Sequence, residues 1–244
     1  MEDGKKIGLI AIGVAMIIAS FLLGNAYKYK YKKQQTIAVT GLAEYDFVSD
    51  MVVWDGYYSR QSFEMKDAYA LIKEDEKKIR TFLEAKGVKT EEISFSSVNI
   101  NKDFASVRDD YGNYSQRFNG YSLSQTVSIE SKDINKIEGV SKDIAQLIDQ
   151  GIELNSNSPR YYYSKLKDLK INLLAKAADD ARNRAKTMAE NSKSSLGGLV
   201  KSSMGVFQIT GQNSDEDYSY GGVFNTSSKN KTASITVKSE YQIK

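Results

Sequence analysis

Cysteine and histidine are both missing from the 244 residues, and proline and tryptophan occur once each, as Pro159 and Trp54. Without imidazole there is no Ser-His-Asp or Cys-His nucleophile system. Without either side chain there is no His/Cys zinc site and no Cys-ligated iron–sulfur cluster. Disulfides are excluded, so cysteine usage assigns no redox compartment. An enzyme built from this chain would have to use carboxylates, Lys, Tyr, Ser/Thr or a hard, oxygen-bound metal. A lone proline leaves no Pro-rich linker. A dominant charge is missing too: 34 Lys+Arg stand against 31 Asp+Glu, mixed along the chain, for a net +3. That is not the clustered basic face of a nucleic-acid binder, so no nucleic-acid partner is expected, and no cofactor or metal site is read. What remains is ordinary globular composition, 41% hydrophobic and 27% charged, with length for one large domain or two small ones.

One uncharged run stands out. Residues 7–23 read IGLIAIGVAMIIASFLL, with Lys5 and Lys6 before and YKYKYKK after. At 1.5 Å per helical residue it spans about 25 Å, slightly short of a hydrocarbon core of about 30 Å. Tyr27, Tyr29 and Tyr31 extend it as an interfacial aromatic belt, and the lysines snorkel. Two readings stay open: an uncleaved signal anchor, which is favoured, and a cleavable signal peptide with Gly24-Asn25-Ala26 as a small-x-small site. The lysine excess after the run would by itself leave the bulk of the protein in the cytoplasm.

From Gln35 onward strands and helices alternate. Thr36–Ala43 and Met51–Tyr58 read as strands, with Gly41 marking a bend or bulge in the extended chain of the first; a dinucleotide loop would need G-x-G-x-x-G and a following helix. Phe63 to Lys86 is predicted helical, with Met65, Ala68, Ile72, Glu76, Ile79 and Leu83 on one face, all apolar but Glu76. Gly87 suits a left-handed cap. In Glu91–Lys102 the alternation slips by one, Ile93 and Phe95 against Val98 and Ile100, which predicts a β-bulge near Ser96–Ser97. Arg108–Tyr114 reads as a hairpin turn. Tyr121–Ser131 alternates cleanly, Gln125 being the polar exception, as befits an antiparallel strand with one wet face. Asp133 N-caps a short helix striped by Ile134, Ile137, Ile144 and Ile148. Ile152–Leu154 begins a strand. A long helix, about Ser164 to Ser192, carries Leu166, Leu169, Leu173, Ala177, Ala181, Ala185 and Met188 on one side. Leu199–Thr210 is a strand, Gly211–Ser228 a polar loop. The C-terminal strand sets Ala233, Ile235, Val237, Tyr241 and Ile243 on one face, Ser239 being the exception.

This order predicts an α+β fold: a largely antiparallel sheet with helices packed on one face, preceded by an N-terminal transmembrane helix. Residues 1–35 are the anchor or signal segment with its basic flank. Residues 36–244 are one domain whose two strand–helix–strand stretches allow two lobes.

No constellation rises to a catalytic site. The acidic loop NSDEDYSYGG, Asn213–Gly222, lacks the D-x-[DN]-x-[DN]-G spacing and distal glutamate of a calcium loop. Asp180 and Arg184 make an i,i+4 pair on a solvated helix face. The oddest feature is Tyr161, Tyr162 and Tyr163, flanked by Arg160 and Lys165. Exposed, these tyrosines would serve as a subunit contact or a glycan-stacking surface; the bland alternative is a strand with tyrosines alternating in and out.

Four stretches together resemble the SIMPL-domain family of bacterial envelope proteins: IAVTGLAEYDFVSD, LEAKGVKTEEISFSSVNI, AKAADDARNRAKTMAENSKSSLGGLV and ASITVKSEYQI. Ala43 stands where glycine is common in the family pattern, and Ser49 where proline is common. The resemblance, over roughly Gln35 to Lys244, implies an α+β fold, an exported location and large ring-like homo-oligomers. It implies no catalytic residues. Family members are linked to oxidative stress. On this basis the expectation is a non-enzymatic, membrane-tethered envelope protein that self-assembles into a ring or scaffold, its main domain outside the cytoplasmic membrane against the simple lysine count. The alternative is a cell-surface glycan- or ligand-binding module using the tyrosines. No small-molecule ligand is identified.

Overall fold

The computed structural model describes residues 2–30, 35–108 and 111–244, with side chains at position 8, at 12–28 and from 35 onward. In chain order the elements are α1 (Glu2–Lys30), β1 (Thr36–Val48), β2 (Met51–Ser62), α2 (Met65–Ala85), β3 (Ile93–Phe95), β4 (Asn99–Arg108), β5 (Tyr114–Ser131), α3 (Ile134–Asp143), β6 (Leu154–Ser156), β7 (Arg160–Tyr162), α4 (Leu166–Asn191), β8 (Leu196–Met204), β9 (Gln208–Gly211) and β10 (Asn230–Ile243). A mixed α+β architecture with antiparallel sheets is therefore present. It divides into two compact units, and the division falls inside β1, α4 and β10.

Among the described residues no helix is long and apolar enough to cross a membrane. The apolar run 7–23 lies within α1, but side chains 7 and 9–11 of that run lie outside the described residues. Those that are described, including Ile12, Met16, Ile17, Phe21, Leu22 and Leu23, stand exposed.

One unit comprises residues 42–177 and 205–236. Its six-stranded sheet runs β3-β5-β2-β6, with β4 also on β5 and β7 also on β2. The spine is the antiparallel β2–β5 pair, from Val52 opposite Ser131 to Ser62 opposite Tyr121. Alternation sends Val52, Trp54 and Tyr58 to one face. There they pack with Ala68, Ile72, Ile79 and Leu83 of α2, Ile137 and Val140 of α3, and Leu123, Val127 and Ile129 of β5. Asp133 caps α3 as expected, accepting from Lys136 N at 3.1 Å. The bulge is also there: between Phe95 opposite Val127 and Asn99 opposite Ser124, one strand advances four residues and its partner three.

The other unit comprises residues 1–41, 178–204 and 237–244. Its core is small: Val39, Ala181, Ala185 and Tyr241, with Ile37 and Leu196 against them. Alanines let the helix lie close to the strands. The expected stripe needs one correction. Met188 is 51% exposed, and Ala189, four residues after Ala185, is buried instead.

β1 also corrects the sequence reading. The strand read as Thr36–Ala43 runs on through the buried Gly41 to Val48, so EYDFV belongs to it. Within this stretch Asp46 accepts from Gln212 Nε2 at 3.0 Å and Thr232 Oγ1 at 2.6 Å.

Candidate functional site

β5 outruns its neighbour. β2 ends at Ser62 opposite Tyr121, whereas β5 starts at Tyr114. Over Tyr114–Gly120 its described partner is β4 alone, giving a two-stranded ribbon, residues 103–108 against 114–120. A second bulge sets its direction: Asp103 faces Gly120, but the next residue, Phe104, faces Phe118. Gly120 has φ +111°, and a Cβ there would fall 2.6 Å from the Ser62 carbonyl oxygen. Asp103 Oδ2 holds the extra residue by accepting from Asn119 Nδ2 at 2.6 Å and Gln61 Nε2 at 2.8 Å.

Beyond the bulge, Phe104, Ser106 and Arg108 share a face with Phe118, Gln116 and Tyr114. The Phe104 and Phe118 rings meet edge-on, centroids 6.0 Å apart, and Phe118 lies 5.3 Å from Tyr121. The Arg108 guanidinium sits 5.8 Å from the Tyr114 ring centroid. Even so, Phe104 is 49%, Phe118 39% and Tyr114 73% exposed. An isolated two-stranded hairpin is marginal in water. Bare strand edges beside exposed aromatics are the features a partner strand or partner surface covers.

The tyrosine triplet lies elsewhere. Tyr161 and Tyr162 belong to β7, which pairs with Met51–Val53 of β2. All three tyrosines are half-buried. The Tyr161 hydroxyl donates to Glu138 Oε1 at 2.9 Å; burial, with that carboxylate, pushes its pKa up to about 12. Tyr162 lies 6.4 Å from the Phe224 ring, and Tyr163 lies 4.9 Å from the Phe47 ring. Each is thus engaged within the chain. Arg160 pairs with Asp55.

The acidic loop is tied down from inside. Glu216 accepts from Gly211 N at 3.0 Å and Asn225 Nδ2 at 2.5 Å. Gln208 Oε1 accepts from the backbone N–H of Ser219 and Val223. The cation of this cluster is Lys231, 1% exposed, whose Nζ donates to the Asn225 carbonyl at 2.5 Å. Among the described residues no group of three or more acidic side chains is placed to hold a metal ion. The RDDYGNY turn joins β4 and β5, and residues 109 and 110 of it lie outside the described residues.

The polar exceptions on buried faces meet one another. Gln125 Nε2 donates to Glu76 Oε2 at 3.1 Å and to Ser96 O at 2.8 Å, while Gln125 Oε1 accepts from the Tyr58 hydroxyl at 2.7 Å. Burial pushes the Glu76 carboxyl up, but hydrogen bonds from Lys73 and Gln125 outweigh it and hold the pKa below the usual range. Tyr58 is shifted upward by burial, with Glu76 and Asp75 adding to it. Asp75, buried on α2, takes a bidentate pair from Arg60 at 2.5 and 2.9 Å. These groups are saturated by their neighbours and make a structural network.

Fold and surface together define an α+β domain with antiparallel sheets that carries an exposed aromatic ribbon. The SIMPL family model, described as a protein of unknown function (DUF541), matches residues 37–242. The chain belongs to the SIMPL family. No curated protein matches it.

The sequence reading missed the ribbon. It ended one strand at Lys102 and began the next at Tyr121. The overlooked signal was the flanks of the turn: KDFASVR and YSQRFNGY place an aromatic on each arm at matching distance from it.

Proposed function

We propose that this protein is a non-enzymatic, membrane-tethered envelope protein that self-assembles into a ring or scaffold, with the β4–β5 ribbon as its principal subunit contact. The observation that carries the reading is the ribbon itself: among the described residues neither of its outer edges is paired, and three exposed aromatic rings, Phe104, Phe118 and Tyr114, lie on one face. The tether is the run 7–23, and the exposed apolar side chains of α1 support it, because they need an apolar surrounding. The resemblance of the chain to exported proteins supports placing the domain outside the cytoplasmic membrane, with a role in oxidative-stress tolerance as the physiological setting. With no native cysteine, a cysteine introduced for the fully exposed Tyr220 tests the orientation: a membrane-impermeant maleimide labels it in intact spheroplasts.

Assembly is tested on the full-length chain purified in detergent, by light scattering. Burying a phenylalanine side chain is worth about 1.5–3 kcal/mol when complete. Phe104 and Phe118 have about half of that still to gain, so roughly 2 kcal/mol per contact rests on the pair. The double variant Phe104→Ser/Phe118→Ser therefore weakens self-association roughly thirtyfold and lowers the particle mass. A monomeric wild-type chain at micromolar concentration, or an unchanged particle mass in a folded double variant, overturns the proposal.

A further inference from the structure

Of the three adjacent tyrosines, Tyr163 opens onto a cleft of about 530 Å³, which it lines with Tyr45 of β1 and the start of α4. Asp168, Asn172 and Lys176 recur at steps of four, so their side chains form one stripe along α4, and Lys165 lies just before it. The buried Leu173 and half-buried Leu169 make an apolar base between them. Among the described residues, no hydrogen bond or ion pair ties the hydroxyls of Tyr45 and Tyr163, the Asn172 amide, the Asp168 carboxylate or the two ammonium groups to another part of the protein. Their one polar contact is the Lys176 Nζ, 5.6 Å from the Tyr45 ring centroid. Lys73 and Lys78 of α2, and Lys86 just after it, are by contrast each paired with a carboxylate.

This set has a definite chemistry. Phenol rings offer flat, amphipathic surfaces for the C–H face of a sugar and a hydroxyl at the rim. A carboxylate and a carboxamide bind adjacent sugar hydroxyls through complementary donors and acceptors. Two ammonium groups against one carboxylate leave a net positive cleft, which favours an anion. The volume falls in the range of small-ligand sites, and an apolar lining with a few convergent polar groups is their usual make-up. We propose that this cleft binds an anionic sugar, a pyranose bearing a carboxylate, with Tyr45 and Tyr163 as the stacking surfaces and Lys165 and Lys176 as the anion contacts.

This inference stands apart from the assembly reading, since every lining residue lies outside the ribbon, and binding is read whatever the oligomeric state. The test is titration calorimetry on the full-length chain in detergent with trigalacturonate, with neutral galactotriose and with citrate. Trigalacturonate is expected to bind at least about tenfold more tightly than galactotriose, as a charge-assisted hydrogen bond is worth, and its affinity falls with added salt. Lys176→Gln and Asn172→Ala alter exposed helix residues and leave the fold intact; Lys176→Gln is expected to weaken binding about tenfold, and Tyr45→Ser by a similar factor. Absence of trigalacturonate binding overturns the proposal. So does equal binding of citrate, which marks a non-specific cationic surface, or undiminished binding by both Lys176→Gln and Tyr45→Ser.

Discussion

Replacing Lys231 by methionine separates two effects that oppose each other at neutral pH. Lys231 occupies the buried face of β10, two residues before Ala233, and donates to the Asn225 carbonyl. Burial, only partly offset by Glu216, lowers its pKa from 10.5 to about 8. The folded pKa lies below the unfolded one, so between about 8 and 10.5 the unfolded chain binds the proton and the folded chain does not. Stability therefore rises with pH across that window. Below it, the charged form is fully penalised, by about 3 kcal/mol for a shift of this size. Methionine, an unbranched chain of similar length, removes that penalty but leaves the Asn225 carbonyl without its donor, at about 1–3 kcal/mol. Near pH 7 the two terms largely cancel. Near pH 10 only the loss remains, because the neutral amine of the wild type still donates. The difference between wild-type and Lys231→Met stabilities should thus grow by roughly 2–3 kcal/mol from pH 7 to pH 10, independently of what the orphaned carbonyl costs. Urea unfolding is the assay. Trp54, the single tryptophan, is fully buried in the same unit and reports on it. Using the difference cancels the other lysines and tyrosines that titrate in this range. Parallel pH profiles for the two proteins would refute the account of a penalised buried ammonium.

Two further predictions use the same fluorescence readout. Ser49 is buried, its Oγ has no hydrogen-bond partner among the described residues, and its N–H donates to Lys229 O at 2.9 Å; Ser49→Ala should stabilise by about 1 kcal/mol by removing the orphaned hydroxyl, whereas Ser49→Pro, which deletes the N–H, should fall below it, and a destabilised alanine variant contradicts the reasoning. Gly120→Ala should cost at least about 2 kcal/mol, because φ +111° and the Ser62 carbonyl 2.6 Å from the new Cβ penalise it together; a shift under about 0.5 kcal/mol means that the second bulge does not depend on glycine.

The elements with one dry face were legible because burial imprints a period on the sequence. α2, α3 and the Tyr121–Ser131 part of β5 show it, although α3 ends at Asp143 and Ile148 of its expected stripe is 65% exposed, and the phase slip at Ser96–Ser97 did locate a bulge. The ribbon was not legible for the same reason: residues 103–108 and 114–119 have no buried face to impose alternation. β1 beyond Ala43 was misread because its polar residues are held by distant partners, Gln212 and Thr232, which no local pattern contains. Lys231 was overlooked although the odd-numbered face of Ala233, Ile235 and Val237, continued two residues back, lands on it.

The polar exceptions carry the more general lesson. Glu76 and Gln125 each break an apolar stripe, one on a helix and one on a strand, 49 residues apart. Ser239 breaks a third and bonds to Ser202 across β10 and β8 at 3.1 Å. Taken singly, each reads as a defect in its face. A buried polar group without a partner costs about 1–3 kcal/mol, so several uncompensated defects would consume much of a typical domain's 5–15 kcal/mol of stability. It follows that such exceptions must find partners, and that exceptions on different elements are the natural candidates for one another. The cleft beside Tyr163 differs on this point: among the described residues, its polar side chains make no hydrogen bond or ion pair with the rest of the protein, and they line an opening to the outside.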